Sequence, residues 1–156
     1  YRRQRQMCIR DRSIPAPDMK SRRDHVIALS EQVIEILLEQ KREVEMLNTE
    51  WVFPSQVKPR NPMSDGTVNK AIKRLGYGQK IVAHGFRAFA RTNIREQLGY
   101  EKEIIEKQLA HKSKGPLGES YDRTQFLPQR RVMMQHWADY ICQIRDTGII
   151  PKSQML

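Results

Sequence analysis

The longest helical pattern in the chain, from Pro128 to about Arg145, does most to constrain the fold. Val132, Met133, Trp137, Tyr140, Ile141 and Ile144 recur at the spacing of one helix face. Pro128 opens the pattern, where its missing N–H would lack a helical partner anyway. A helix with one apolar stripe is stable only if other elements cover that stripe, so the rest of the chain must supply packing partners. Ser30 is a good N-cap for a helix from Glu31 to about Glu43, with Val33, Ile34, Leu37 and Leu38 as its stripe and Val44, Met46 and Leu47 as a possible extension. Ser64 or Asp65 can cap a helix through Leu75 that carries Val68, Ile72 and Leu75, with Gly76 and Gly78 closing it. A further helix is expected from about Gly85 to Leu98, with Phe86, Phe89, Ala90 and Ile94 inward and Gly99 as its stop. Lys102 to Ala110 follows, carrying Ile104, Ile105 and Leu109.

Extended structure has less room. Ser13 to Leu29 contains two prolines that discourage helix, and its end, His25 to Leu29, suits a short strand. Lys20 to Asp24 is charged enough to form the turn of a hairpin. Trp51 to Pro54 reads as a second short strand ending at proline, Gln56 to Met63 as a polar loop, and Lys112 to Gly118 as a loop with glycine and lysine. The expected fold class is therefore mainly α with a small β-sheet or hairpin, an α+β arrangement. A chain of 156 residues with 38% apolar residues suffices for one compact domain.

Residues Tyr1 to Arg12, YRRQRQMCIRDR, have no helical or strand periodicity. Met7 to Arg12 is what ATG TGT ATA AGA GAC AGR encodes, a string resembling a transposase end sequence used in sequencing adapters. The expectation is an artefactual or disordered segment over 1–12, with a natural basic DNA-binding arm as the alternative. The domain proper is expected over 13–146 and a tail over 147–156. The formal net charge is +10; five arginines and one aspartate in residues 1–12 account for +4 of it, leaving +6. A basic balance of this size favours a polyanion, usually nucleic acid, although charge alone does not exclude an ordinary soluble basic protein. Cys8 and Cys142 form no motif with any histidine, so neither a disulfide framework nor a zinc site is indicated. No apolar run approaches the roughly 20 residues of a membrane span and no signal-peptide pattern is present; the expected compartment is the cytoplasm.

The sharpest local signal is His84-Gly85-Phe86-Arg87. Histidine and arginine three apart at a helix start share a face, and a helix N-terminus favours anions. Arginine adds a planar fork for two oxygens and histidine one more hydrogen bond, which together make a phosphate seat. Alone, such a pair is more often a surface ion-pairing element. The second signal is Leu109-Ala110-His111, followed ten positions later by Tyr121. A lone tyrosine is by default a half-buried packing residue. As a nucleophile it needs a positive pocket and a nearby base, because its reference pKa is about 10; Lys112, Lys114 and Arg123 supply positive charge around it.

In order, Lys20, His84-x-x-Arg87, His111 and Tyr121 resemble the tyrosine recombinase pattern of Arg, Lys, His-x-x-Arg, His and Tyr. Six blocks narrow the likeness to integrases of the satellite-phage type: Met19 to His25, Phe53-Pro54-Ser55, Pro62 to Asp65, Ala83 to Arg87, Gln108 to His111, and Trp137 to Tyr140. The similarity spans roughly Ile14 to Tyr140. It implies that Tyr121 attacks the scissile phosphate and is joined to its 3′ side, that Arg87 clamps the non-bridging oxygens, and that Lys20 protonates the leaving oxygen. It further implies that His84 assists proton transfer and His111 hydrogen-bonds the phosphate. Arg22, Arg23, Arg91 and Lys112 are candidate DNA contacts, with a solvated charged edge the alternative for Arg91 and Arg95. The resemblance implies double-stranded attachment-site DNA as partner, a homotetramer on it, a mobile-element or prophage setting, and no cofactor or metal.

One family position has no counterpart. The first arginine of the pattern lies in a helical Arg-x-x-Glu-Leu-like block before the sheet, and no such block precedes Ser13. The expectation is an N-terminally truncated catalytic domain that by itself cuts DNA poorly or not at all. Three other readings remain: a catalytically incomplete DNA-binding remnant, a type one-B topoisomerase, and a basic RNA-binding module. The last leaves the ordered histidines, Arg87 and Tyr121 unexplained.

Overall fold

The structure is a computed structural model that describes residues 11–111 and 125–151, together with the backbone of residues 7 and 8. Among these, three antiparallel strands form a sheet in chain order: β1 (Met7–Cys8), β2 (Asp11–Ile14) and β3 (His25–Ala28). Five helices follow: α1 (Glu31–Glu45), α2 (Thr67–Arg74), α3 (Ala83–Glu96), α4 (Lys102–Gln108) and α5 (Leu127–Thr147). The architecture is mainly helical with a small antiparallel sheet, as the patterning predicts. No helix among the described residues is long and apolar enough to cross a membrane.

The core lies where α3, α4 and α5 meet. Ile94 of α3, Ile104 and Ile105 of α4, and Met133, Trp137 and Tyr140 of α5 are buried together. Each such side chain contributes roughly 2 kcal/mol through loss of water contact. Trp137 stacks on Tyr140 at 5.7 Å between ring centres. The α5 stripe is narrower than its sequence pattern: Val132 and Ile141 are exposed, and Arg130 takes a place on the buried face. On α3, Ala90 and Ile94 point inward, but Phe86 and Phe89 are about half exposed, contrary to expectation. The cluster meets α3 only from Ala90 onward, apart from the tilted contact of Phe89 with Trp137 at 5.9 Å.

Helix α1 starts where Ser30 predicts, the Ser30 hydroxyl accepting from the Val33 N–H at 3.5 Å. It is tied to α5 by polar contacts: Gln32 donates to Asp139 at 2.6 Å, and the Glu31 N–H donates to the Gln135 side chain at 3.0 Å. Val33, Ile34 and Leu37 are half-buried, whereas Leu38 is exposed.

Three boundaries differ from the sequence expectation. Trp51 to Phe53 is not a strand; only an isolated bridge joins Pro54 to Pro62. Pro54 has no N–H to give a ladder, and the segment closes instead through Met63 N–H to Phe53 O at 2.9 Å and the Trp51 indole to Arg60 O at 2.9 Å. Helix α2 begins at Thr67, later than the expected caps, because Ser64 spends its carbonyl and hydroxyl on Thr67 in a preceding turn. Strand β2 begins at Asp11, within residues 1–12 where the sequence shows no strand periodicity, and Asp11 pairs with Arg131 of α5.

Candidate active site

Strands β2 and β3 are joined by a ten-residue loop, 15–24, that presents Lys20. A short 3-10 turn over Ala16–Asp18 starts it, the Ala16 N–H donating to the Asp24 carboxylate at 2.7 Å. Lys20, Arg22 and Arg23 are all exposed there, as expected of a hairpin turn. The loop delivers the chain to His25 at the head of β3. The His25 Nε2–H donates to the Gln108 carbonyl at 3.3 Å, at the end of α4.

Helix α3 starts at Ala83, and the adjoining Val82 has no side-chain group to cap it. Asn69 of α2 does so instead, accepting the Ala83 N–H at 2.8 Å, while the Gly85 N–H turns back to Val82 O at 2.8 Å. Two amides of the expected anion seat are thus satisfied internally, and this corrects the sequence expectation. Gly85 is fitted to the turn, since a Cβ there would lie 3.2 Å from Ile81.

Arg87 is exposed on α3 and donates one guanidinium N–H to Leu109 O, the carbonyl at the end of α4. A guanidinium carries five donors, so an arginine anchored by one still offers a fork to a phosphate. One turn further on, Arg91 pairs with Glu106 of α4 at 2.6 Å, and the other oxygen of that carboxylate meets His111 Nδ1. Arg91, read from sequence as a DNA contact, is thus engaged in the contact between two helices. Partial burial alone would raise the Glu106 carboxyl; hydrogen bonds from His111 and Arg91, and their charge, hold it below the usual carboxylate range.

The turn that returns His111 to α4 has a particular geometry. The Ala110 N–H reaches Lys107 O and the His111 N–H reaches Glu106 O at 2.9 Å, with Ala110 at φ +53°. This is a Schellman C-cap whose left-handed position, usually glycine, is filled by alanine. Replacing Ala110 by glycine is expected to raise stability by up to about 1 kcal/mol. A denaturant midpoint that falls instead would contradict the left-handed turn.

The structure therefore brings Arg87 and His111 to one place, the C-terminal end of α4, with His25 beside them and the Lys20 loop leading into it. His84 is exposed one turn before Arg87. Among the described residues no hydrogen bond links Lys20 or His84 to Arg87. Tyr121 and Lys112 lie outside the described residues.

Comparison with known proteins matches residues 3–126 to the family described as Phage integrase family. The chain belongs to this family. Curated integrases are similar to this family member over most of its length. Prophage integrase IntA of Escherichia coli K12 is 42% identical over 142 residues, 88% of this chain and 32% of its own. Prophage integrase IntZ of the same strain is 39% identical, covering 85% of this chain and 32% of its own, and the integrase of Enterobacteria phage P4 is 36% identical, covering 84% and 30%. The chain thus spans about a third of the length of these relatives. No solved structure matches it.

Four residues of this integrase-family chain support the site without having been singled out for a role from sequence: His25, Glu106, Gln108 and Arg130. The Gln108 amide spans the backbone of Ala28, donating to Ala28 O at 3.0 Å and accepting from Ala28 N–H at 3.4 Å, so it covers the open edge of β3. Arg130 is fully buried and donates to Gln108 Oε1 at 2.8 Å, to Gln125 O at 3.2 Å and to Val26 O. Burial holds the His25 imidazole below the usual histidine range; the Gln108 carbonyl pulls it up, and the charges of Arg130 and Arg87 push it down again.

The unfolded chain binds a proton at His25 near pH 6.5, whereas the folded chain keeps the ring neutral to lower pH. Folding is then disfavoured as pH falls below about 6.5 until the folded-state pKa is passed. Thermal unfolding midpoints of the wild type should drop over this window, and His25→Gln should flatten that part of the profile. An unchanged slope in the variant would remove His25 as the cause.

Proposed function

We propose that this chain is the catalytic part of a tyrosine recombinase that integrates and excises a mobile element by site-specific strand exchange on double-stranded DNA. The observation that carries the reading is Arg87 held beside the turn that bears His111, at the head of the strand that follows the Lys20 loop. The names and family of the similar proteins support it. In this reading Tyr121 Oη attacks the scissile phosphorus. The bond to the 5′ oxygen breaks, the phosphate remains on Tyr121 through its 3′ side, and Lys20 protonates the departing 5′ oxygen to give a 5′ hydroxyl. Arg87 and His111 donate hydrogen bonds to the non-bridging oxygens, where negative charge concentrates in the transition state. His84 assists removal of the tyrosine proton. The phosphotyrosine retains the energy of the broken bond, so a 5′ hydroxyl from a partner strand can reverse the step without a nucleotide cofactor. Arg22, Arg23 and Lys112 contribute phosphate contacts outside the reacting centre, and four copies act on paired attachment sites.

A nicked suicide duplex tests this, using the chain both alone and extended by the coding sequence upstream of Ser13. A covalent protein–DNA adduct is expected from the extended chain and little or none from the 156 residues alone. DNA binding without adduct from the extended chain identifies a binding remnant. Relaxation of plasmids without sequence preference identifies a topoisomerase.

A further inference from the structure

We infer that Glu106 is the positioning residue for His111: it holds the imidazole by Nδ1 and so leaves Nε2 as the ring nitrogen presented to a DNA phosphate. The inference rests on the recombinase reading for its consequence, but its geometry stands apart from it. Both oxygens of the Glu106 carboxylate are engaged, one by Arg91 from α3 and the other by His111 Nδ1. The carboxylate is largely shielded, its side chain 19% exposed, while His111 remains 42% exposed and open to an outside partner. His111 reaches this position only because Ala110 adopts a left-handed conformation that alanine disfavours, and the His111 N–H closes on the carbonyl of the same Glu106. Strain of this sort persists where the surroundings hold it in place. An exposed ion pair between Arg91 and Glu106 would by itself add little to stability. A carboxylate behind a histidine sets which ring nitrogen carries the proton and keeps the ring from rotating. With Nδ1 held by Glu106, Nε2 is the ring nitrogen whose N–H can donate to a non-bridging oxygen, and the adjoining carboxylate balances the positive ring.

The neutral tautomer of His111 in the 156-residue chain tests this directly, read by nitrogen NMR of histidine-labelled protein at pH 8. The wild type is expected to carry its proton on Nδ1. Glu106→Ala should move it to Nε2, and Glu106→Gln, whose amide oxygen still accepts, should restore Nδ1–H in part. Arg91→Ala, which leaves the histidine contact in place, should not move it. A wild-type proton on Nε2, or an Nδ1–H that survives in folded Glu106→Ala, overturns the inference. In the upstream-extended chain, adduct formation by Glu106→Ala, His111→Ala and the double variant provides the second arm. The double variant should be no slower than His111→Ala, because Glu106 acts through that ring; multiplied losses overturn the inference. An extended wild type that forms no adduct at all overturns the recombinase reading, while the tautomer still decides the role of Glu106.

Discussion

Arg130→Met should lower the unfolding free energy by about 3 kcal/mol, although methionine fills much of the same volume. Arg130 has no exposed surface, and its guanidinium joins three parts of the chain: Val26 in β3, Gln108 at the end of α4, and Gln125 just before α5. Burial lowers its pKa from the ordinary arginine value, yet a guanidinium keeps its proton in proteins. Two effects oppose each other on substitution. Removing a buried charge recovers its desolvation cost, which favours the variant. Three acceptors lose a charged donor; two of them, Val26 O and Gln108 Oε1, are half-buried, at about 1–3 kcal/mol each, while Gln125 is exposed and can turn to water. The second effect is expected to win, because Val26 O is a half-buried backbone carbonyl and the Arg130 guanidinium also fixes Gln108 against β3. For a domain of this size the midpoint of thermal unfolding should fall by roughly 10 °C. A change below about 1 kcal/mol would mean that the charge was as costly as its hydrogen bonds were useful. Because Gln125 opens the segment leading into α5, the same variant should also slow adduct formation in the extended chain.

Tyr121→Phe should abolish the covalent adduct, since in the proposed reaction it deletes the attacking oxygen and nothing else. Arg87→Ala should slow adduct formation by about 10²–10³-fold, the usual loss when one preset donor to a developing oxyanion is removed. Arg87→Lys should recover only part of this, because an ammonium keeps the charge but loses the fork. Stability provides the control. Arg87 is exposed and holds a single hydrogen bond to Leu109 O, so its removal should cost only about 1 kcal/mol. Rates measured in single turnover on the suicide duplex, beside thermal midpoints, separate the two. A large loss of stability in Arg87→Ala would recast the residue as a structural link between α3 and α4.

Much of the fold was legible in the sequence because its helices carry strong periodic stripes and their own punctuation: Ser30 before α1, Gly76 after α2, Gly99 after α3, Pro128 in the first turn of α5. What was illegible depended on contacts distant in the chain. Phe86 and Phe89 have core-like spacing, but only part of α3 meets the cluster. Trp51 to Phe53 has strand composition, but no neighbouring strand forms a ladder with it. Arg130 could have been found: it stands three before Met133 and seven before Trp137, on the core face, and an arginine at such a place must have buried acceptors waiting for it. Glu106 could also have been noticed, five residues before His111 across a helix end. The cap of α3 by Asn69 could not, because it joins residues fourteen apart through a side chain whose direction the sequence does not give.

The most direct measurement is the chemical identity of the protein–DNA joint. The extended chain is reacted with the nicked duplex, digested, and the DNA-bound peptide is sequenced by mass spectrometry. The peptide should contain Tyr121, esterified through its phenolic oxygen to a 3′ phosphate, with the released strand ending in a free 5′ hydroxyl. A joint on any other residue, a 5′ phosphate linkage, or no joint from a folded chain that binds the duplex would contradict the assignment.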